Sequence, residues 1–339
     1  MQNWTQIAAV IIFLMFFALP SPLVIGLTIR YPSRALSFQS TTACQLNRFL
    51  FDPSELTLHG EEKDSISPPS VILPKEDYRT IHAAKVLGLR SGDPIRAGLV
   101  SGDHPQAGLL TDEATVRWIP EGNVKKEEPL RNGDPPGSLS IRLDNLQEPP
   151  PSDQILVSLL LALPRPLQLG RMLPMISSLG VDHLILTRAE KVPKDYFGSH
   201  LFRKPEILRE KLIEGLCQAG DVRLPKLHIV HNLRRFLETD LDRLFPLDTH
   251  ARVIAHPQRA NDTRAPLRMG QVTFPSHLPP RILVAVGPEG GWAEPEELNL
   301  FQDLGFQQIS LGTRTLRSDC AVISLLSLAH EACFEKQKR

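Results

Sequence analysis

The sequence predicts a mixed α/β protein in which a small β-rich unit precedes a larger domain built on a mostly parallel sheet. Three observations predict it. Short apolar runs separated by turn signals fill residues 45–120, and strands alternate with helices from residue 153 to the end. Between them, residues 121–152 carry Pro129, Pro135, Pro136, Pro149, Pro150 and Pro151, the composition of a semi-rigid linker.

Residues 1–44 are set apart by composition. Ile7 to Ile29 is almost wholly apolar, and Arg30 and Arg34 then sit among Ser33, Ser37, Ser40, Thr41 and Thr42 with no acid before Asp52. An apolar stretch followed by a basic, acid-free segment predicts a targeting leader for an organelle, plastid or mitochondrion. A retained membrane anchor and an over-extended start remain alternatives, and the last would leave a cytoplasmic protein.

In the β-rich unit the predicted strands are Arg48–Phe51, Ser70–Leu73, Pro94–Val100 and Ala107–Thr111, with one helix over Asp77–Leu87. A small β-barrel fits this pattern. In the linker only Leu139–Leu143 has strand character. The second domain should contain strands at Gln154–Leu161, Val181–Leu186, Leu227–Val230, Ala251–Ala255, Arg281–Val286 and Gln308–Leu311. Its helices should span Leu169–Leu179, Lys204–Ala219, Pro295–Leu304 and Ala321–Lys336, with residues 258–280 a surface excursion.

Composition excludes several functions. The chain of 339 residues has zero formal net charge, so an RNA partner would need a local basic surface rather than a global field. Its four cysteines form no C-x-x-C pair, and His228 and His231 have no clustered partners, so no metal site is expected.

The chemistry points to two loops. The strand Arg281–Val286 runs directly into Gly287-Pro288-Glu289-Gly290-Gly291, at the strand end where open α/β sheets bind ligands. Glycines let the backbone approach a ligand closely, and the spacing fits neither G-x-G-x-x-G nor a P-loop. Glu294, Glu296 and Glu297 at the following helix start disfavour a phosphate there. A second strand ends in Leu311-Gly312-Thr313-Arg314-Thr315-Leu316-Arg317, which leads into the last helix. The two loops could enclose one small ligand between them. Arg317 could meet a phosphate or a base there, or simply form a salt bridge.

Val286-Gly287-Pro288-Glu289-Gly290-Gly291, then Glu296, Phe306, Leu311-Gly312, Arg314 and Leu316-Arg317, resembles the cofactor signature of the RsmE family, SPOUT-class methyltransferases of uridine N3 in small-subunit ribosomal RNA. Asn47-Arg48-Phe49, His82, Gly92-Asp93, Leu179-Gly180-Val181, Gln218-x-Gly220 and His256-Pro257 extend the resemblance along the chain. It implies a C-terminal SPOUT-type parallel sheet with a trefoil knot, preceded by a PUA-like β-barrel that binds RNA. It also implies S-adenosyl-L-methionine held by His256, Val286, Gly287, Pro288, Glu289, Gly290, Gly291, Leu311, Gly312, Thr315 and Leu316. Arg317 would be catalytic; Arg48, His82 and Arg314 would touch RNA; and the enzyme would be a homodimer on small-subunit ribosomal RNA. The sequence departs from the family at Met175, Ser178, Asp221, Gly88 and Asp319-Cys320. Those departures keep a second reading open, an RNA-binding ribosome-assembly factor of the same fold.

Overall fold

The computed structural model describes residues 48–57, 68–122, 127–130, 132–150, 156–259 and 265–338. All of them belong to one unit, residues 41–339. The leader and Asn47 lie outside the described residues. Among those described, no helix is long and apolar enough to cross a membrane.

The first sheet contains β1 (Arg48–Phe51), β2 (Leu56–Thr57), β3 (Ser70–Leu73), β4 (Pro94–Leu99), β5 (Leu110–Pro120) and β6 (Gly137–Arg142), in the order β1-β4-β5-β6-β3-β2. Among these described strands, only the β1–β4 pair is parallel. Helix α1 (Tyr78–Lys85) starts at Asp77, whose carboxylate accepts from the Arg79 backbone N–H at 2.8 Å, a standard N-cap. Strand β6 falls in the stretch expected to be a linker. It nonetheless fills the centre of the sheet, because Leu139 and Ile141 alternate with Ser138 and Ser140 and so bury one face. The sequence shows strand character at Leu139–Leu143, but the flanking prolines assign the stretch to a linker.

The second sheet is parallel throughout. It contains β7 (Val157–Ala162), β8 (His183–Thr187), β9 (Lys226–Val230), β10 (His250–Ala255), β11 (Arg281–Val286) and β12 (Gln307–Ile309), ordered β12-β10-β11-β7-β8-β9. Every residue of β7 is buried, as an interior parallel strand with both faces covered requires. Around it lie α2 (Pro166–Ser178), α3 (His200–Arg203), α4 (Pro205–Ala219), α5 (Leu233–Thr239), α6 (Leu241–Leu244), α7 (Glu296–Asp303) and α8 (Ser318–Gln337). Helices α2 and α4 approach very closely: a Cβ on Gly215 would stand 2.0 Å from the Pro174 carbonyl oxygen. The last helix, α8, packs on β11, β7 and α2, and on the 3-10 turn Met269–Gln271 in the β10–β11 connection. A C-terminus threaded through that connection would make this contact.

The register matters most for function. Ala255, Val286, Leu161 and Ile309 are paired neighbours, so β10, β11, β7 and β12 all end at one edge. The loops that follow them emerge together.

Candidate functional site at the strand ends

The loop after β11 is held from several directions. Gly291 has φ +69°, a left-handed conformation that a side chain would disfavour, and its N–H donates to the Pro288 carbonyl at 2.8 Å. Lys191 Nζ donates to the carbonyls of Gly290 and Trp292, both at 3.1 Å. Glu289 accepts from the backbone N–H of Arg165 at 3.2 Å, which ties the loop to the start of α2. Behind it, Trp292 is 1 % exposed and packs edge-on against Phe301, which packs in turn on Phe306.

The loop after β12 begins with Leu311, which packs on the core, and Gly312 at φ +133°. Ser310 Oγ accepts from the Gly312 N–H at 3.2 Å. Thr313 to Arg317 are exposed. Gln168 of α2 donates to Ser318 Oγ at 3.1 Å, joining the starts of α2 and α8. His256 completes the cluster: its N–H donates to the Ile309 carbonyl at 3.0 Å, and its ring feels the charges of Glu294, Arg259 and Lys191. Burial, the largest cause, keeps its imidazole below the ordinary histidine range and hence neutral.

These loops fit an adenosyl ligand by what they leave free. The backbone N–H groups of Glu289, Gly290 and Thr313 to Leu316 donate to nothing among the described residues. Trp292 Nε1 is buried without a partner among them, a condition that costs about 1–3 kcal/mol if nothing relieves it. Free backbone donors on two glycine loops at one sheet edge suit a ligand recognised by shape and hydrogen bonds rather than by a cation. Arg317 is the N-cap residue of α8, 74 % exposed, with Nη2 2.8 Å from Asp319 Oδ2. The Cys320 backbone N–H, with Arg317 beside it, holds the Asp319 carboxyl below the usual carboxylate range. The shortened acid at this position thus still anchors the arginine.

The family model for an RNA methyltransferase domain matches residues 151–330, more than half the chain. The chain belongs to that RNA methyltransferase family. It is 28 % identical over 292 residues to the ribosomal RNA small subunit methyltransferase E of Treponema pallidum, covering 84 % of this chain and 92 % of the relative. A probable rRNA-methyltransferase from Porphyromonas gingivalis has the same fold, with a TM-score of 0.58, 18 % identity and coverage of 86 % and 100 %. So does a ribosomal RNA small subunit methyltransferase E from Neisseria gonorrhoeae bound to S-adenosyl methionine, with a TM-score of 0.55, 20 % identity and coverage of 84 % and 97 %.

Within this methyltransferase the residues expected at RNA do not share a surface. Arg314 is exposed beside the cofactor loops. Arg48 is not: it is 7 % exposed, and its guanidinium donates to the carbonyls of Ala97 and Thr111 at 2.8 Å and of Gly220 at 3.0 Å. Its remaining nitrogen pairs with Asp112 at 2.7 Å. Arg48 therefore fastens the first sheet to the end of α4 rather than presenting a charge. His82 lines a cleft of about 800 Å³ between α1, β1 and α4, remote in sequence from both cofactor loops. The family departures have local causes. Gly88 has φ +62°, which suits glycine, and Asp221 binds Arg223 at 2.8 Å and the Val222 N–H at 2.7 Å.

Sequence reasoning missed Lys191, Arg165 and Gln168. Each reaches the loops from far along the chain, and no local pattern marks it. Trp292 was readable beside the motif, but its packing against Gly287 was not.

Proposed function

We propose that this protein transfers the methyl group of S-adenosylmethionine to N3 of a uridine in small-subunit ribosomal RNA. The observation that carries the reading is that two glycine loops with unpaired backbone donors leave the same edge of the parallel sheet, at the ends of β11 and β12 on either side of β10. The names of the similar proteins supply the ribosomal RNA target. When bound, S-adenosylmethionine supplies an electrophilic methyl group on sulfonium. The chain's own part is to hold the adenosyl moiety against Gly287–Gly291 and Leu311–Leu316 and to place an extruded uracil beside it. Loss of the N3 proton leaves negative charge on the base, and Arg317, exposed and oriented by Asp319, stabilises it.

The reading includes a homodimer. Leu328 and Phe334 on α8, Leu167 and Met175 on α2, and Leu316 in the loop before α8 are exposed apolar residues, and the two helices pack together. A second copy covering them would also close over the cofactor loops.

The test is methyl transfer from labelled S-adenosylmethionine to small-subunit ribosomal RNA by the purified protein, with the product nucleoside identified. N3-methyluridine is expected. Binding of the cofactor without transfer to any ribosomal RNA would favour the assembly-factor reading instead.

A further inference from the structure

A neutral chain that methylates RNA needs a local cationic surface, and the cleft containing His82 does not provide one. Its cations are all engaged: Arg48 by Asp112, Arg79 by Glu55 and Asp77, Arg209 by Asp52 and Lys211 by Glu214. The charges left without an ion pair among the described residues are the carboxylates of Glu206 and Glu210. Phosphates would be repelled there.

The opposite condition holds around α3 and the first turns of α2. Arg165, Arg171, Lys194, Arg203 and Lys204 are exposed, and their side chains make no ion pair or hydrogen bond among the described residues. They lie on elements that touch one another. The 3-10 turn Lys194–Gly198 runs into α3, with the Ser199 N–H donating to the Tyr196 carbonyl at 3.2 Å and the Phe197 and Phe202 rings 5.1 Å apart. Leu201 of α3 lies against Gly170 of α2, 3.8 Å from where a Cβ would stand. Arg165, at the start of α2, bonds through its backbone to Glu289 of the cofactor loop. Neither α2 nor α3 carries an acid, and the acids between β8 and α3 are Glu190 and Asp195.

We infer that the RNA backbone enters along this seam, over α3 and the first turns of α2, and reaches the cofactor loops at Arg165. Unpaired arginines and lysines on short, packed helices meet phosphates at little cost, because no internal ion pair has to break. The inference rests on the RNA-methylation reading and names the surface that reading lacks.

The experiment uses the full chain and a short fluorescein-labelled hairpin of small-subunit ribosomal RNA, with anisotropy measured across a salt series. The triple variant Arg171→Ala/Arg203→Ala/Lys204→Ala should bind the hairpin on the order of tenfold more weakly, with a salt slope shallower by about one unit for each phosphate that is no longer neutralised. Its affinity for S-adenosylmethionine by calorimetry should match the wild type, which shows the fold and cofactor site to be intact. The control Glu206→Gln/Glu210→Gln should leave hairpin affinity unchanged. A triple variant with wild-type affinity and slope overturns the inference while leaving methylation standing, and so does a control that binds the hairpin much more tightly. A wild-type protein that binds S-adenosylmethionine but no RNA overturns the inference and the methylation reading together.

Discussion

Trp292 occupies the space that a side chain on Gly287 would need: a Cβ there would lie 3.1 Å from the indole Nε1 and 3.2 Å from Cδ1. The indole has little room to retreat, because Phe301 packs edge-on against it at 4.7 Å and Phe306 supports Phe301 at 4.8 Å. Packing alone therefore favours glycine at the first position of the motif.

Gly287→Ala should therefore lower stability by about 1–3 kcal/mol, the usual cost of overpacking, and weaken S-adenosylmethionine binding. Urea denaturation and calorimetry measure the two effects. Adding Trp292→Phe should recover part of the stability, since a smaller ring relieves the same clash, and a double-mutant cycle would show the coupling. Strictly additive effects would mean that the two residues do not compete for the space.

Arg317→Ala removes a charge that is exposed and held only by Asp319 among the described residues. Cofactor binding should be unaffected, whereas the rate of methyl transfer should fall roughly 100- to 1,000-fold, as when one donor to a developing anion is removed. Asp319→Asn should give a smaller reduction, because the arginine remains but is no longer positioned. Wild-type turnover of Arg317→Ala would remove this residue from the mechanism.

Leu328→Asp with Phe334→Asp places two carboxylates on the exposed apolar face of α8. The wild type should sediment as a dimer and the double variant as a monomer that still binds S-adenosylmethionine. A monomeric wild type would end the dimer reading.

The fold was legible where burial dictates composition. Strand β11 was placed residue for residue, because an interior parallel strand is a continuous apolar run, and α4 was placed within one residue because its apolar face repeats at helical spacing. Short helices α3, α5 and α6 escaped, being too brief to show a period. The positions of the two glycine loops were legible because glycine after a buried strand is a local signal. Arg48 was misplaced because an arginine on a strand looks the same in sequence whether it faces solvent or three carbonyls. Arg48→Ala would strand those carbonyls, at a cost of roughly 3 kcal/mol or more, while leaving RNA affinity unchanged. Urea denaturation and hairpin anisotropy separate the two effects.

At the other end of the parallel sheet His183 Nδ1 lies 2.9 Å from His228 Nε2 with the rings stacked, and Phe245 separates this pair from His250. All three imidazoles are held below the ordinary histidine range, chiefly by burial, with His250 pushed down to about 4. Lys226 beside His183 and His228, and Arg281 beside His183 and His250, act in the same direction, while Asp182 opposes them at His183. A histidine with a depressed folded pKa is neutral in the fold and charged once unfolded in mild acid, so the unfolded state binds more protons. Stability should be full above about pH 6.5 and decline as the pH falls toward 4. Melting curves from about pH 7.5 to about pH 4.5, on the order of a half-unit apart, follow that decline. His250→Gln should flatten the lower part of the profile, because Gln fills the site without gaining a proton. An unchanged slope in that variant would show that His250 does not titrate with folding.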